Sequence, residues 1–330
     1  MPLRRSASFL AACVLALAPI AAGAQPTAPP VAGPISVSPV APRGADRVAE
    51  QAPDFADAAA LAAWLRTGAP GGPVVSAHRG GYGGPWPENA IETFVATNAR
   101  LPRALLETDI RLTRDSVLVL LHDETLDRTT TATGRLDALT FASTRGIALR
   151  SDSGATTFGI PTLDSALAWS AGRAVYTLDP KPEVPPARIV GAIRAWRAEG
   201  RAVVITYSAA QYAGYLALAP DLVYSVNIPD GAALDAHLAL AGARADRMLA
   251  FVGTRVPEAA LVARLRTLGI PAMAGVFGAR EARALGGDAS VMADAYATGV
   301  GLVSTAAVDA AVAARAVLSG NARPARTGSQ

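Results

Sequence analysis

The residues most able to act together are three carboxylates, Glu107, Asp109 and Asp179. Glu107 and Asp109 lie two positions apart in an apolar run with strand character, so their side chains share one face, and Asp179 ends the next such run. Three acids brought face to face repel one another. Either a divalent cation relieves that repulsion, or Arg79 and Lys181 do so as an ion network without metal. An all-oxygen donor set suits Ca²⁺ or Mg²⁺ better than Zn²⁺, which recruits His or Cys. Two histidines, His78 and His122, fall in separate segments at strand ends, where a general base and a general acid for an in-line displacement could flank a substrate. Arg79 offers a two-pronged contact to phosphate oxygens and Lys181 a point charge. Lys181 is the only lysine among 30 basic residues, so an ammonium has been kept where this chain otherwise uses guanidinium.

Other features have simpler readings. The loop Gly80-Gly81-Tyr82-Gly83-Gly84 could bring backbone N–H groups to an anion. Pro87-Glu88-Asn89-Ala90 reads as a helix start, with Glu88 favourable to the helix dipole. His237 falls mid-helix and is expected at the surface; of the four tryptophans, Trp86 is the one placed to line a substrate cleft.

Short Val/Ile/Leu-rich runs alternate with longer Ala/Leu/Arg segments of helical period. Strands are predicted at Val74 to His78, Ala104 to Leu112, Ala174 to Asp179, Ala202 to Tyr207, Leu222 to Ile228, Met248 to Val252, Pro271 to Phe277 and Gly299 to Ser304. The predicted helices are Glu88 to Arg100, Thr162 to Ala171, Pro186 to Glu199, Ala209 to Leu218, Ala232 to Ala241, Pro257 to Leu268, Ala279 to Thr298 and Ala306 to Leu318. Eight such pairs over about 250 residues fit a (β/α)8 TIM barrel. A doubly wound sheet is the rival, but no G-x-G-x-x-G follows the first strand. The stretch 113–161, with its strand-like run Val117 to Leu121, reads as an insertion between strand 2 and helix 2. A loop there lies at the carboxyl ends of the strands, where active sites of this fold are built. His78, Arg79, Glu107, Asp109, Asp179 and Lys181 all fall at or near that end, with His122 and Asp123 inside the insertion.

Composition narrows the class. The 330 residues are 51% hydrophobic and 17% charged, which excludes disorder and allows a large core. A net charge of +3, evenly scattered, argues for no nucleic-acid partner. Residues 1–24 carry Arg4 and Arg5, an apolar run and Ala22-Gly23-Ala24, the pattern of a signal peptide cleaved after Ala24. A periplasmic or secreted protein without stable membrane insertion is expected; lipoprotein anchoring at Cys13 is disfavoured because the apolar run continues past it. Cleavage would also remove the single cysteine, excluding thiol chemistry. Residues 25–53 are expected to form a Pro/Ala-rich spacer, 54–320 the (β/α)8 domain and 321–330 a disordered tail.

Taken in order, Ala77-His78-Arg79-Gly80, Pro87-Glu88-Asn89, Glu107-Thr108-Asp109 and His122-Asp123 with Leu126, Arg128 and Thr129-Thr130 resemble the glycerophosphodiester phosphodiesterase family. The resemblance covers about Val74 to Gly134 and fades to fold-level likeness after the third strand. It implies a (β/α)8 barrel with an insertion after strand 2, His78 and His122 as the acid/base pair, Glu107, Asp109 and Asp179 as ligands of one divalent cation, and Arg79 and Lys181 on the phosphate. The implied substrate is a small glycerophosphodiester, cleaved to glycerol 3-phosphate and an alcohol. Three departures stand out: Asp179-Pro180-Lys181 replaces the family's Glu-x-Lys, shortening the third ligand by one methylene; Ala90 replaces a Thr; and Ser304-Thr305 replaces a Thr-Asp. Competing readings are a phosphodiesterase for phospholipid or another head group and a non-catalytic phosphate-binding barrel, which would not need two histidines. A glycosidase using Glu107 and Asp109 leaves the His-Arg pair and Lys181 unexplained.

Overall fold

The structure, a computed structural model, describes residues 55–67 and 74–318. The signal peptide, spacer and tail expected from the sequence lie outside the described residues, as does the expected domain start at Asp54.

Eight parallel strands close into a barrel: β1 (Val74–Ala77), β2 (Leu105–Leu112), β6 (Val175–Pro180), β7 (Ala202–Thr206), β8 (Val223–Asn227), β9 (Met248–Phe251), β10 (Ala272–Gly275) and β11 (Leu302–Thr305). Closure comes from β1 pairing with both β11 and β2. The register sets Asp109 beside Asp179 on neighbouring strands. Around the barrel run α2 (Ile91–Arg100), α3 (Leu163–Ser170), α4 (Pro186–Ala195), α5 (Ala209–Leu218), α6 (Gly231–Ala241), α7 (Ala259–Thr267), α8 (Ala279–Leu285), α9 (Ser290–Ala297) and α10 (Val308–Leu318). Several begin where the sequence supplies a cap. Thr162, Ser208 and Asp230 each accept a backbone N–H from three residues on, and Pro186 opens α4.

Strand alternation divides the barrel into two regimes. One residue from every barrel strand (Val74, Leu105, Val175, Val203, Val223, Leu249, Met273, Leu302) joins an apolar layer at the amino end. An additional helix, α1 (Ala58–Thr67), closes that mouth with Ala58, Leu61, Ala62 and Leu65. Two and four residues further along β2 the same face carries Glu107 and Asp109, and four residues along β6 it carries Asp179. The outward faces supply a second core against the helices, including Leu106, Tyr176, Val204, Tyr224 and Val303.

The insertion has its own architecture. β3 (Leu118–Leu120) returns antiparallel along the outer half of β2, and β4 (Ala148–Ser151) pairs with β5 (Gly154–Gly159) as a hairpin. Val119, Leu121, Leu126, Leu136, Leu149 and Ile160 give it a separate small core.

Three local expectations are corrected. The first barrel helix begins at Ile91 rather than Glu88, because Glu88 and Asn89 are drawn into the site. The segment Ala279 to Thr298 is two helices, since Gly286 and Gly287 stop α8 and Gly287 takes φ +95°. His237 is buried instead of exposed: its helix packs on α5, where the ring lies 5.6 Å from that of Tyr212. Helix α1 and the β4–β5 hairpin have no counterpart among the elements expected.

Leu61 is fully buried in the plug. Leu61→Ala is expected to lower the unfolding free energy by about 2–5 kcal/mol, read as a fall in the urea midpoint at constant slope. A change within about 0.5 kcal/mol would show that α1 rests on the barrel without supporting it.

Candidate active site

The three carboxylates converge at the carboxyl end of β2 and β6, where one oxygen or another of each lies within 4.8 Å of the others'. All three are buried. Lys181, two residues beyond Asp179, folds its ammonium between two of them, with Nζ 2.5 Å from Asp109 Oδ1 and 2.7 Å from Asp179 Oδ2. Tyr207, just after β7, donates its hydroxyl to the same Asp179 oxygen at 2.7 Å.

The charges are unevenly relieved. Burial and the neighbouring Asp109 and Asp179 push Glu107 well above the usual carboxylate range, against the pull of the Arg79 N–H and Lys181. Burial pushes Asp109 upward too, yet Lys181, His122 and the Asn89 amide outweigh it and hold this acid below its ordinary value. Asp179 stays raised by burial, with Lys181 pulling against it and Asp109 adding to it. Burial opposes the charge on Lys181, but Asp109 and Asp179 raise it overall.

Two features show that this donor set fits a divalent cation. Asp179 Oδ1 is buried without a hydrogen-bond partner, and Lys181 together with Arg79, whose charge is shared with Glu88, leaves three clustered carboxylates short of positive charge. Buried carboxylate oxygens in this number match an oxygen-preferring ion.

The loop after β1 is shaped around the acids. His78, Arg79 and Gly80 form a single tight turn in which Arg79 has φ +49°, and the Arg79 N–H donates to Glu107 Oε2 at 2.6 Å. Gly80 follows at φ +86°, where a Cβ would stand 2.5 Å from the Phe94 ring. Asn89, itself at φ +59°, completes the wall. Its Oδ1 accepts from the Asp109 N–H (3.0 Å) and the Thr108 hydroxyl (2.8 Å), while Nδ2 donates to Asp109 Oδ2 (2.8 Å).

Arg79 does not lie free over the site. Its Nη1 donates to both oxygens of Glu88 at 3.1 Å, and its Nε is 3.6 Å from Asp109 Oδ2. Glu88 also takes a bidentate pair from Arg128 (2.7 and 2.8 Å), and Arg128 reaches on to both oxygens of Asp123. Asp123 is held well below the usual carboxylate range, first by those Arg128 bonds and then by His122.

The two histidines enter from different sides. His122 Nδ1 lies 2.7 Å from Asp123 Oδ1, and its backbone carbonyl accepts from Arg111 Nε. His78 packs against Phe277, ring centroids 4.5 Å apart, with Tyr82 at 6.1 Å. Trp86 lies with Tyr82, Glu88, Arg128 and Asp152 in a cleft beside the site.

Glu107, Asp109, Asp179, Lys181 and Arg79 are therefore one contact network, and His122 joins it electrostatically through Asp109. Asn89, Glu88, Arg128 and Tyr207 are polar members that the sequence did not mark as site residues, and Glu281, 3.6 Å from His78 Nδ1, is a further one beside that histidine. Glu88, Asn89 and Arg128 stood within recognised motifs, whereas nothing local marks Tyr207 or Glu281.

Residues 78–209 match the model of the glycerophosphoryl diester phosphodiesterase family. Among solved structures, a glycerophosphoryl diester phosphodiesterase from Parabacteroides distasonis shares 26% identity at TM-score 0.72, over 80% of this chain and 93% of that one. Residues 78–209 of the chain are similar to the glycerophosphoryl diester phosphodiesterase family, and the barrel as a whole is similar to that of its solved members. The bovine glycerophosphodiester phosphodiesterase 1 is 45% identical over 69 residues, 21% of this chain and 20% of that relative. The chain therefore matches curated relatives of this kind over about a fifth of their length. An Oleispira antarctica phosphodiesterase, solved with the product sn-glycerol-3-phosphate, has the same fold at 19% identity and TM-score 0.60, over 74% of this chain and 96% of that one.

Asn89 ties the loop to β2 by three hydrogen bonds, two with Asp109 and one with Thr108. Asn89→Ala leaves buried groups of Thr108 and Asp109 unpaired and is expected to destabilise the fold by about 2–4 kcal/mol, measured by urea unfolding. An unchanged midpoint would mean that the loop holds its shape without this amide.

Proposed function

We propose that the protein is an exported, metal-dependent glycerophosphodiester phosphodiesterase that releases glycerol 3-phosphate and an alcohol. The observation that carries this is the buried Glu107, Asp109 and Asp179 cluster, under-neutralised and with an unpartnered Asp179 oxygen, at the barrel end where the family's motifs gather. Ca²⁺ or Mg²⁺ is the expected ion, because every donor is a carboxylate. When bound, it supplies Lewis-acid polarisation of the phosphoryl oxygens.

The chain's own residues do the rest. Lys181 stays charged beside the cluster and offsets negative charge that builds on the phosphoryl group. Arg79, fixed by Glu88, presents a guanidinium of set orientation to the same region. One of His78 and His122 takes the proton from the attacking oxygen as the new P–O bond forms. The other donates a proton to the leaving alkoxide as the old bond breaks. The attacking oxygen is water or the substrate's own glycerol hydroxyl, and trapping a cyclic phosphate separates the two.

The Oleispira neighbour, which holds glycerol 3-phosphate, supports a small-molecule substrate. Among the described residues no helix is long and apolar enough to cross a membrane. Export rests on the leader read at residues 1–24.

Purified protein is expected to release glycerol 3-phosphate from glycerophosphocholine or glycerophosphoethanolamine, to stop in EDTA and to recover with Ca²⁺ or Mg²⁺. His78→Ala and His122→Ala should each lower kcat by about 10²–10⁴-fold. No turnover of either substrate with any metal would favour another phosphodiester or a non-catalytic barrel. Sequencing the amino terminus of the protein isolated from its native cells should find Gln25 first; retention of residues 1–24 would count against cleavage after Ala24 and the export read from it.

A further inference from the structure

We infer that Glu281 is a positioning residue for His78, acting from the loop and helix that follow β10, two strands from β1 around the barrel, to turn that ring's Nε2 toward the substrate. The kinetic part of this inference rests on the phosphodiesterase reading above; the structural part does not.

His78 Nδ1 is buried and has no hydrogen-bond partner among the described residues. Facing it at 3.6 Å is Glu281 Oε1, from the first turn of α8. Glu281 is itself 8% exposed, and the same oxygen accepts the Ala306 N–H at 2.7 Å. The carboxylate is thus held in place by the loop after β11 while it points at an unsatisfied ring nitrogen. A carboxylate accepts and does not donate, so the contact selects the imidazole form with a proton on Nδ1. That leaves Nε2 of the neutral ring as the free base, or as the acid after protonation.

The surroundings restrict the ring to this arrangement. Phe277 packs against it, and Gly275 makes room for Phe277: a Cβ there would stand 2.8 Å from the Phe277 ring. Tyr82 is the other aromatic neighbour. The second histidine has the same design, with Asp123 at 2.7 Å from Nδ1. Both members of the pair are therefore backed by a carboxylate, one adjacent in sequence and the other 203 positions away. The Asp123 contact is closed in this structure, while the Glu281 contact, at 3.6 Å, stands just beyond hydrogen-bond distance. Catalytic hydrogen bonds are often long without substrate and tighten when it binds.

The deciding experiment is long-range ¹H–¹⁵N spectroscopy of the full chain, whose three histidines are assigned with single His→Gln variants. In the wild type His78 should carry its proton on Nδ1. Glu281→Gln, which keeps an oxygen for the Ala306 N–H, should weaken that preference, and Glu281→Asp should preserve more of it. An Nε2–H form in the wild type, or an unaltered His78 spectrum in Glu281→Gln, would overturn the inference. In turnover assays Glu281→Gln should lower kcat by about 10- to 100-fold, with KM and Tm unchanged and partial rescue in Glu281→Asp. A fall in Tm with the His78 form unaltered would reduce Glu281 to a latch on Ala306. Absence of wild-type turnover would remove the substrate reading, while the histidine spectrum would still decide the role of Glu281.

Discussion

Mutual repulsion among Glu107, Asp109 and Asp179 is the constraint to which the rest of this structure responds. Burying three like charges within 4.8 Å of one another is tolerable only where cations and donors converge on them. Lys181 covers two of the acids, Tyr207 steadies Asp179, the Arg79 N–H meets Glu107, and Asn89 clamps Asp109. Those contacts come from β2, β6, β7 and the loop after β1, so the cluster requires a closed barrel in a single register. What remains unbalanced is the capacity to take a cation.

Stability and function are separated along the barrel axis. The amino end is a dry layer drawn from every strand and sealed by α1, and it tolerates the polar layer above because it supplies burial without asking any polar group to be satisfied. Toward the carboxyl end the inward positions turn acidic. The same alternation that packs Leu105 inward presents Glu107 and Asp109 inward, so core packing fixes the direction of the site.

Around the acids the arginines behave as structure more than as free charge. Arg79 and Arg128 share Glu88, and Arg128 continues to Asp123, which in turn meets His122. This chain of ion pairs couples the first loop to the insertion, whose own small core holds His122 and Asp123 in a fixed place beside it. The same ion pairs explain why Glu88, which reads from sequence as a favourable helix start, lies before the helix.

Much of the architecture was legible in the order of residues. Short Val/Ile/Leu-rich runs alternating with helical segments specify the barrel, and Glu107, Asp109, Asp179 and Lys181 announce themselves by spacing and rarity, because strand geometry converts sequence separation into a common face. Helix α1 was not legible, since an amphipathic segment before the first strand does not reveal that its apolar face will close a barrel mouth. The burial of His237 was hidden for the same reason, because it depends on what packs alongside, whereas the break at Gly286 and Gly287 is a local glycine stop that the sequence does carry. Most of all, Glu281 sits in an Ala/Arg-rich helix where a charged residue looks like ordinary solvent-facing surface. Only closure of β1 against β11 brings the loop holding Ala306 beside His78, and with it a carboxylate from 203 positions away. Sequence sets what a residue can do through local geometry; proximity around the barrel is created by strand closure, which no local pattern encodes.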